Sequence, residues 1–494
     1  MSLKKQTLWS MLPLVVVTLV NIASVPLFYR YLGPEMYALW FYVLTFTGAF
    51  GFMDLGLGVA VGRYVGVALG RDDRQAVREY WGTGNAIAIP LLATMGVIFT
   101  LIGVIFGPKW FNVSPSLVSL LRWSFVAGGT GLFLSYYGQF WLILSQAHLD
   151  FRFLSILRTA ISLLQIIPSI VLAWATRNPL VLILWTAGAG ALQLAIFVWH
   201  SKKSYALGFD LNHAGWRRAW EMAAYTGKTF ATLLVGSLLG SADRLLLGKL
   251  SAPVDFVHYT IASNVGTRIQ GLSVAVMGPV FHNTSRAVGS GSRETLAAVY
   301  NEIFDFTFPW YALVSIWVAA WHPVLLHVWL GDKLGPAVAP LFVPIIIGFC
   351  LTAISNISGA QLGPLNRLGL GLIFSALTCV LLVVGVYLGW QWNGAIGVAW
   401  AFLFSRVTLF AQDLFVIRLV RARGWLAVKT WKHLGLQTVI GLGFLSMGLF
   451  LPRLSLWQLI PAALHGCVVS AWLVRHPARN LLARMRTNVA PEVV

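Results

Sequence analysis

The residues of this chain that could do chemistry are positively charged side chains set inside long apolar segments. Arg268 and Arg406 each lie near the middle of such a segment, and Asn264 lies one helical turn from Arg268. A charged side chain at the centre of a bilayer costs about 2.5–3.5 kcal/mol on insertion scales, so it normally faces a partner or a hydrated cavity. Guanidinium groups stay charged when buried and form paired hydrogen bonds to phosphate. These residues predict contact with an anionic headgroup, and an ion pair between helices is the alternative.

Further basic residues lie closer to the ends of apolar segments. Long basic side chains near a span end can extend to the membrane surface, so this snorkelling is the simpler interpretation of each one alone. Their functional interpretation is a cationic vestibule that receives an anionic substrate. The residues in question are Arg63, Arg122, Arg158, Lys228 and Arg244.

Two acidic residues inside apolar segments are candidates for gating or for coupling to an ion. Asp54 lies deep in the second predicted span and is flanked by Gly51 and Gly56, while Asp243 lies near the outer end of the seventh. Acidic groups inside a membrane commonly belong to proton or ion pathways. An ion pair between helices is the alternative for both.

The sequence contains no constellation typical of an enzyme or a metal site. Its three cysteines lie in apolar segments, and neither a CxxC pair nor a Cys/His cluster occurs. A phosphate-binding loop of the Walker A type is also absent, so ATP hydrolysis is unsupported. We therefore expect no enzymatic activity, no cofactor and no metal. A membrane glycosyltransferase or polymerase is an alternative, although the longest predicted outer loop, Gly107–Ser116, has only ten residues.

A helical membrane scaffold must position these side chains. The 494 residues are 58% hydrophobic and 10% charged, whereas soluble domains carry about 25% charged residues. Apolar runs close to the roughly 20 residues that span a bilayer recur along the chain. We predict an all-α polytopic membrane protein with about 14 transmembrane helices. The predicted spans are Leu8–Phe28, Tyr37–Val61, Tyr80–Phe106, Leu117–Leu144, Phe153–Ala175, Leu180–Trp199, Ala223–Leu247, Phe256–Val280, Ile303–Leu330, Ala337–Leu362, Leu368–Trp390, Ala395–Ile417, Leu434–Leu451 and Leu456–Val474.

The distribution of basic residues predicts the orientation of these spans. A net charge of +19 would suggest nucleic acid as a partner in a soluble protein. In a membrane protein, however, Lys and Arg collect in cytoplasmic loops. With the N-terminus inside, 23 of the 35 basic residues lie in inside segments and 6 lie in outside loops. We expect a multi-pass protein of the cell inner (plasma) membrane, with both termini cytoplasmic and no nucleic-acid partner.

The chain divides at two basic loops. Residues 1–200 hold the first six spans, residues 201–222 form a cytoplasmic linker, and residues 223–418 hold the next six spans. Residues 419–494 contain a basic loop, the last two spans and a cytoplasmic tail. The turns at 32–37 (LGPEMY) and 250–255 (LSAPVD) share a leucine, a small residue, a proline and an acid. This faint repeat is typical of transporters built from two related halves.

Three stretches resemble the lipid-linked oligosaccharide (O-antigen) flippases of the multidrug/oligosaccharidyl-lipid/polysaccharide exporter superfamily. The first is Pro26–Leu39, with the sequence PLFYRYLGPEMYAL. The second is Asp54–Gly58 (DLGLG), followed by RYV at 63–65. The third is Asp243–Leu250 (DRLLLGKL), with Tyr259 nine residues later. The resemblance extends from about Leu8 to Ile417.

This resemblance implies two six-helix lobes in a V around a central cavity, plus two C-terminal helices of open role. It implies that the chain moves an undecaprenyl-diphosphate-linked oligosaccharide from the inner to the outer leaflet by alternating access, without ATP, for cell-surface polysaccharide synthesis. An ion gradient or the membrane potential would drive this movement. Cationic cavity residues contact the diphosphate-sugar in such proteins, and Arg268 and Arg406 match that role by depth. Membrane lipids, and a polysaccharide polymerase or export machinery, are the expected partners.

Two other functions compete with this interpretation. A drug/cation antiporter of the same superfamily would need an acidic cavity to bind cations. The charged residues inside the predicted spans are mostly basic instead. The basic residues within the spans therefore favour the flippase over the antiporter. A non-transporting scaffold for an assembly complex is a further alternative, which the sequence leaves open.

Overall fold

The protein is helical, with no strand, throughout the part that the structure describes. The computed structural model describes residues 3–53, 55–289, 293–363, 365, 367–422, 435–436, 438–440, 442–444, 446 and 459–470. Short 3-10 turns lie at Pro115–Leu117 and Leu211–His213. The helices are α1 (Leu3–Ala49), α2 (Leu57–Gly70), α3 (Arg74–Trp110), α4 (Val118–Ala147), α5 (Phe151–Thr176), α6 (Pro179–Tyr205), α7 (Trp216–Leu239), α8 (Ala242–Leu250), α9 (Pro253–Gly289), α10 (Arg293–Leu362), α11 (Leu368–Ser405), α12 (Val407–Val420) and α13 (Leu459–Ser470).

Several helices hold two predicted spans joined by a sharp break. Among the described residues, seven helical stretches are long and apolar enough to cross a membrane. The backbone breaks at Gly33 in α1 (φ 74°), at Gly331 in α10 (φ 80°) and at Gly394 in α11 (φ 53°). Glycine adopts this left-handed conformation without the clash that a Cβ atom causes. All three breaks coincide with predicted outer turns. The all-α membrane architecture is thus confirmed, while the number fourteen stays a prediction.

In the first half of the chain, two predicted spans are wrong as continuous helices. The span predicted at Tyr37–Val61 is divided, because α1 ends at Ala49 and α2 begins at Leu57. The span predicted at Ala223–Leu247 is divided between the end of α7 and the start of α8. In the first break, Leu55 and Gly56 have φ values of 50° and 81°, which a right-handed helix cannot accommodate. The apolar pattern runs through both breaks, so hydropathy alone did not reveal them.

The two breaks lie against each other. Ser237 Oγ lies 2.9 Å from the carbonyl oxygens of both Gly48 and Ala49 and donates to them. Gly51 packs closely on the same hydroxyl, since a Cβ atom at Gly51 would lie 2.8 Å from it. Carbonyl groups that lose their helical partner at membrane depth need another donor. Ser237 therefore stabilises the end of α1.

The described helices belong to two compact units. The first comprises Met1–Thr260 with Cys379–Val398, and in it α4 packs against α3 and α6 while α1 packs against α5. Its core is aromatic, with Trp81 and Trp141 fully buried and their ring centroids 5.0 Å apart. The second unit comprises Ile261–Thr378 with Ala399–Val494, and in it α10 packs against α12. The predicted lobe limits at residues 200 and 223 stay a prediction.

Within the second unit, α13 is attached to α10 by tryptophan hydrogen bonds. Trp321 Nε1 donates to His465 Nδ1 at 3.1 Å, and Trp317 Nε1 donates to the carbonyl of Ala462 at 3.0 Å. Trp321 and Ala462 also belong to a buried apolar cluster. An indole N–H and an imidazole inside an apolar environment need such partners, because unpaired polar groups there are costly. The described part of the last predicted span is therefore packed on α10.

A close backbone contact in α11 gives a prediction about stability. A Cβ atom on Gly397 would overlap the carbonyl oxygen of Gly389, and one on Gly389 would lie 2.5 Å from the carbonyl oxygen of Gly397. We expect Gly397→Ala to destabilise the protein by about 1–3 kcal/mol, the usual effect of overpacking. Gly369→Ala is the matched control, since a Cβ there meets nothing within 4 Å. Thermal unfolding in detergent should show a lower midpoint for Gly397→Ala only. Equal midpoints would mean that this helix contact is not close.

Candidate functional site

Three of the basic residues predicted in the first unit have exposed side chains. The side chains of Arg63 on α2, Arg122 on α4 and Arg158 on α5 are exposed. Lys228 lies on α7, but its side chain is outside the described residues, and so is Asp54. An exposed guanidinium is open to a phosphate, whether of a substrate or of a lipid. Substrate binding by these residues stays a prediction.

Asn264 and Arg268 lie one turn apart on α9, in the second unit, as their spacing predicted. Arg268 is exposed from the protein, and Asn264 is half-buried. A guanidinium offers five N–H donors in a planar fork, and an amide adds two donors and an acceptor. The pair can therefore bind phosphate oxygens and a neighbouring sugar hydroxyl. This chemistry matches the role predicted for them, which stays a prediction.

Arg406 differs from Arg268 in its exposure. Arg406 is 3% exposed and lies at the turn between α11 and α12. This turn divides the predicted span Ala395–Ile417, so that span is also wrong as one helix. The guanidinium carbon lies 4.2 Å from the ring centroid of Phe402, a distance typical of a cation–π contact. Sequence depth made the two arginines look equivalent, yet only Arg268 is accessible to a headgroup in this conformation.

Asp243 is a buried carboxylate with a defined set of partners. It is 2% exposed and lies in the first turn of α8. Tyr259 OH donates to its Oδ2 at 2.7 Å, and Arg244 Nε lies 4.0 Å from its Oδ1. Arg244 also donates to the carbonyl of Gly240 at the break after α7. The predicted Asp243–Arg244–Tyr259 motif is thus brought together, and it joins α8 to α9. Its gating or ion-coupling role stays a prediction.

An aromatic cluster joins α8 and α9 to α1 and to the end of α3, at their predicted outer ends. We call Tyr42, Trp110, Phe111, Gly248 and Phe256 the outer-end cluster. The Tyr42 ring stacks on Phe111 with centroids 4.3 Å apart and lies 4.5 Å from Phe256. Trp110 Nε1 donates to the carbonyl of Leu245 at 2.9 Å. A Cβ atom on Gly248 would lie 2.9 Å from the Phe111 ring, so glycine there allows the close contact. The outer ends are therefore closed against each other.

A polar cluster joins the predicted cytoplasmic linker to α2 and α3. Tyr80 OH donates to Glu221 Oε2 at 2.6 Å, and Tyr64 OH donates to the Glu221 carbonyl at 3.1 Å. Arg218 bonds Glu221 at 3.2 Å and Glu79 at 3.0 Å. We call Tyr64, Glu79, Tyr80, Arg218 and Glu221 the linker cluster. The sequence pattern placed Arg218 among the cytoplasmic basic residues and gave Glu79 and Glu221 no role. The alternation of acids and bases at two span ends was the available signal for the cluster.

The linker cluster predicts a dependence of stability on pH. The hydrogen bond from Tyr80, followed by the interactions with Arg218, holds the pKa of Glu221 below its usual range. A carboxyl group with a lowered pKa contributes stability that is present above its ordinary pKa and is lost as the pH falls through the lowered value. We expect acidification from neutral pH to below about 4 to lower the unfolding temperature of the native protein. Glu221→Gln should lower it at neutral pH and flatten the acid-side slope.

Thermal unfolding in detergent across this pH range measures both effects. Glu294→Gln, at an exposed position in the first turn of α10, is the matched control and should keep the native slope. An unchanged slope in Glu221→Gln would contradict the assignment.

The described residues contain no group of three or more His, Cys, Asp and Glu side chains that could hold a metal ion. The charged side chains of the candidate sites are instead arginines and single carboxylates in contact with hydroxyl groups. Such groups bind phosphate, sugar hydroxyls or protons.

A family comparison matches the first half of the chain and the start of the second. The profile of the family described as polysaccharide biosynthesis protein matches residues 3–284 of the 494. The matched stretch includes Asp243, Asn264 and Arg268, together with the outer-end and linker clusters. No curated protein matches the chain.

Similar folds occur among solved transporter structures. Lipid II flippase MurJ, in an inward closed conformation, has a TM-score of 0.69 at 13% identity, over 95% of this chain and 100% of that chain. A multidrug resistance MATE family transporter of the MOP superfamily, facing inward, has a TM-score of 0.66 at 15% identity, over 82% and 94%. A MOP superfamily transporter from Pyrococcus furiosus has a TM-score of 0.62 at 14% identity, over 85% and 96%. At such identities these likenesses show the fold alone.

Proposed function

Because this chain belongs to the polysaccharide biosynthesis protein family, we propose that it is a flippase for a lipid-linked oligosaccharide. In this proposal it moves an undecaprenyl-diphosphate-linked oligosaccharide from the inner to the outer leaflet of the plasma membrane. The product would supply synthesis of a cell-surface polysaccharide such as O-antigen or exopolysaccharide. The chain itself makes and breaks no covalent bond. The match over residues 3–284 is the observation that carries the proposal.

The chemistry of the exposed basic residues supports a diphosphate headgroup as the ligand. Arg63, Arg122 and Arg158 are exposed on helices of the first unit, and Arg268 is exposed on α9. A charge near the middle of a predicted span, such as that of Arg268, is costly and normally faces a partner or a hydrated cavity. A diphosphate is a doubly charged acceptor that suits the fork of guanidinium donors. Arg268, with Asn264 one turn away, is the first candidate for this contact.

The closed outer-end cluster of the first unit supports alternating access. Translocation requires that a substrate taken up from inside be released outside, so contacts at the outer ends must open during each cycle. The outer-end cluster is closed in this conformation. Since ATP binding is unsupported by the sequence, an ion gradient or the membrane potential would drive the opening. Polysaccharide polymerase or export machinery would then take the product.

Gene deletion with separate analysis of the two leaflets tests the proposed function. We expect the deletion strain to accumulate a lipid-linked oligosaccharide in the inner leaflet and to lose one surface polysaccharide, with both defects reversed by the native gene. The control is a strain that lacks a different exporter. A deletion strain with normal glycans and increased sensitivity to cationic drugs would favour the drug/cation antiporter instead.

A further inference from the structure

Asp413 is a buried carboxyl group for which the proposed transport cycle has no role so far. It lies on α12, is 1% exposed, and accepts a hydrogen bond at Oδ2 from Ser355 Oγ at 2.8 Å. Its Oδ1 is also buried and makes no hydrogen bond within the described part of the chain. Ser358 also faces the carboxyl group, and its hydroxyl lies 3.0 Å from Tyr300 OH. A carboxyl group, two serines and a tyrosine thus form one buried polar cluster in the second unit.

The groups around Asp413 are mostly neutral. From α10, the titratable group that faces it is Tyr300, which is fully buried. The neighbouring α11 carries no Asp, Glu, Lys or Arg. Arg406, at the turn before α12, lies seven residues earlier in the chain, and Arg418 on α12, five residues later, is exposed. The acidic α10 residues nearest to Tyr300 in sequence, Glu302 and Asp305, are exposed. The contacts that reach the carboxyl group come from hydroxyl groups.

This arrangement favours a proton over a metal cation as the ligand of Asp413. An ionised carboxylate in an apolar interior is costly unless it is paired and hydrogen-bonded. Serine and tyrosine hydroxyls both donate and accept, so they can satisfy the neutral acid as well as the anion. A sodium ion would need several oxygen ligands around it, whereas Ser355 Oγ already lies at direct hydrogen-bond distance from Oδ2. The direct contact leaves no space for an ion between these two atoms.

We propose that Asp413 is a proton-binding site, with Ser355, Ser358 and Tyr300 as the hydroxyl groups that hold its neutral form. The proton binds at the carboxyl group, on the buried Oδ1, and leaves when the site becomes hydrated. The predicted ion-coupling candidates Asp54 and Asp243 both lie in the first unit's sequence range, so this site is separate from them. The coupling of this proton to lipid movement rests on the proposed function, whereas its binding does not.

Infrared difference spectroscopy of the purified, full-length protein in lipid tests the proposal directly. We expect a carbonyl stretch from a protonated carboxylic acid at neutral pH that disappears on alkaline titration. This band should be lost in Asp413→Asn and kept in Asp332→Asn, whose carboxyl is 87% exposed. Ser355→Ala should shift the frequency of the band, since one hydrogen bond to the acid is removed. This second variant keeps the test decisive if Asp413→Asn fails to fold.

Two results would overturn the proposal. One is a spectrum that neither Asp413→Asn nor Ser355→Ala changes. The other is displacement of the proton by sodium chloride but not by choline chloride at constant pH, which would make this a metal-cation site. In liposomes, Asp413→Asn should make lipid movement insensitive to a pH gradient. A protein that shows the Asp413 band but moves no lipid-linked oligosaccharide would refute the proposed function and leave the proton site standing.

Discussion

Replacing Arg268 by alanine is expected to reduce export of the lipid-linked glycan by roughly ten- to a hundredfold while the protein stays in the membrane. A hydrogen bond to a charged group is worth about 1.5–3 kcal/mol, and each 1.4 kcal/mol is a factor of about ten. Arg268 is exposed on α9, and Asn264 lies one turn away. Because the side chain is exposed, its loss should leave the fold intact. The measurement is the amount of surface polysaccharide at equal levels of membrane protein.

Two matched variants separate charge from geometry at this position. Arg268→Lys keeps the charge but loses the planar fork that binds phosphate through two bonds, so export should be partly retained. Arg78→Ala removes an exposed arginine of α3 that has no predicted role and should leave export unchanged. Normal surface polysaccharide in Arg268→Ala would remove this residue from the substrate site. Equal loss in Arg78→Ala would indicate a general effect of surface charge.

Holding the outer-end cluster closed should stop transport almost completely. The backbone N–H of Asn112 donates to the carbonyl of Gly248 at 3.3 Å, and the Lys249 ammonium lies 4.6 Å from the Trp110 ring centroid. The outer ends of α3 and α8 are therefore in direct contact. If each cycle opens this contact, a covalent bridge across it should reduce transport by more than about tenfold, because the bridged cluster cannot open.

A pair of cysteines at Asn112 and Lys249, in a chain whose native cysteines are replaced, allows this measurement. A cleavable bifunctional thiol reagent should inhibit transport in the double variant, and cleavage of the reagent should restore it. The single variants Asn112→Cys and Lys249→Cys, treated identically, should stay active. Undiminished transport after complete cross-linking would show that the outer-end cluster need not open.

The sequence was sufficient for the membrane scaffold but not for its interruptions. Apolar length, the positive-inside distribution and three motifs predicted the helical architecture and a relation to polysaccharide exporters. The helical architecture is confirmed, and the chain belongs to the polysaccharide biosynthesis protein family. The breaks near Gly56 and Gly240 were not predicted, because a hydropathy average depends on composition and contains no information about the backbone dihedral angles. The contact of Ser237 with Gly48 and Ala49 is likewise tertiary. No local pattern specifies it.

For the candidate site, the sequence predicted the types of side chain better than it predicted their exposure and contacts. Arg268 and Arg406 were equivalent by depth, yet one is exposed and the other is 3% exposed against Phe402. In helices that are apolar on all faces, spacing does not tell which side of the helix is covered by protein. For the same reason, Asp413 was not among the predicted candidates. Its buried contact with Ser355 depends on the packing of α10 on α12.

Reconstitution of the purified protein in liposomes tests the proposed flippase activity most directly. The substrate is a fluorescent undecaprenyl-diphosphate oligosaccharide, and a membrane-impermeant glycosidase or quencher reports the fraction in the outer leaflet. We expect faster movement between leaflets with native protein than in protein-free liposomes, and a strong loss of this movement with Arg268→Ala. Movement no faster than in protein-free liposomes, with or without a pH gradient, would contradict it.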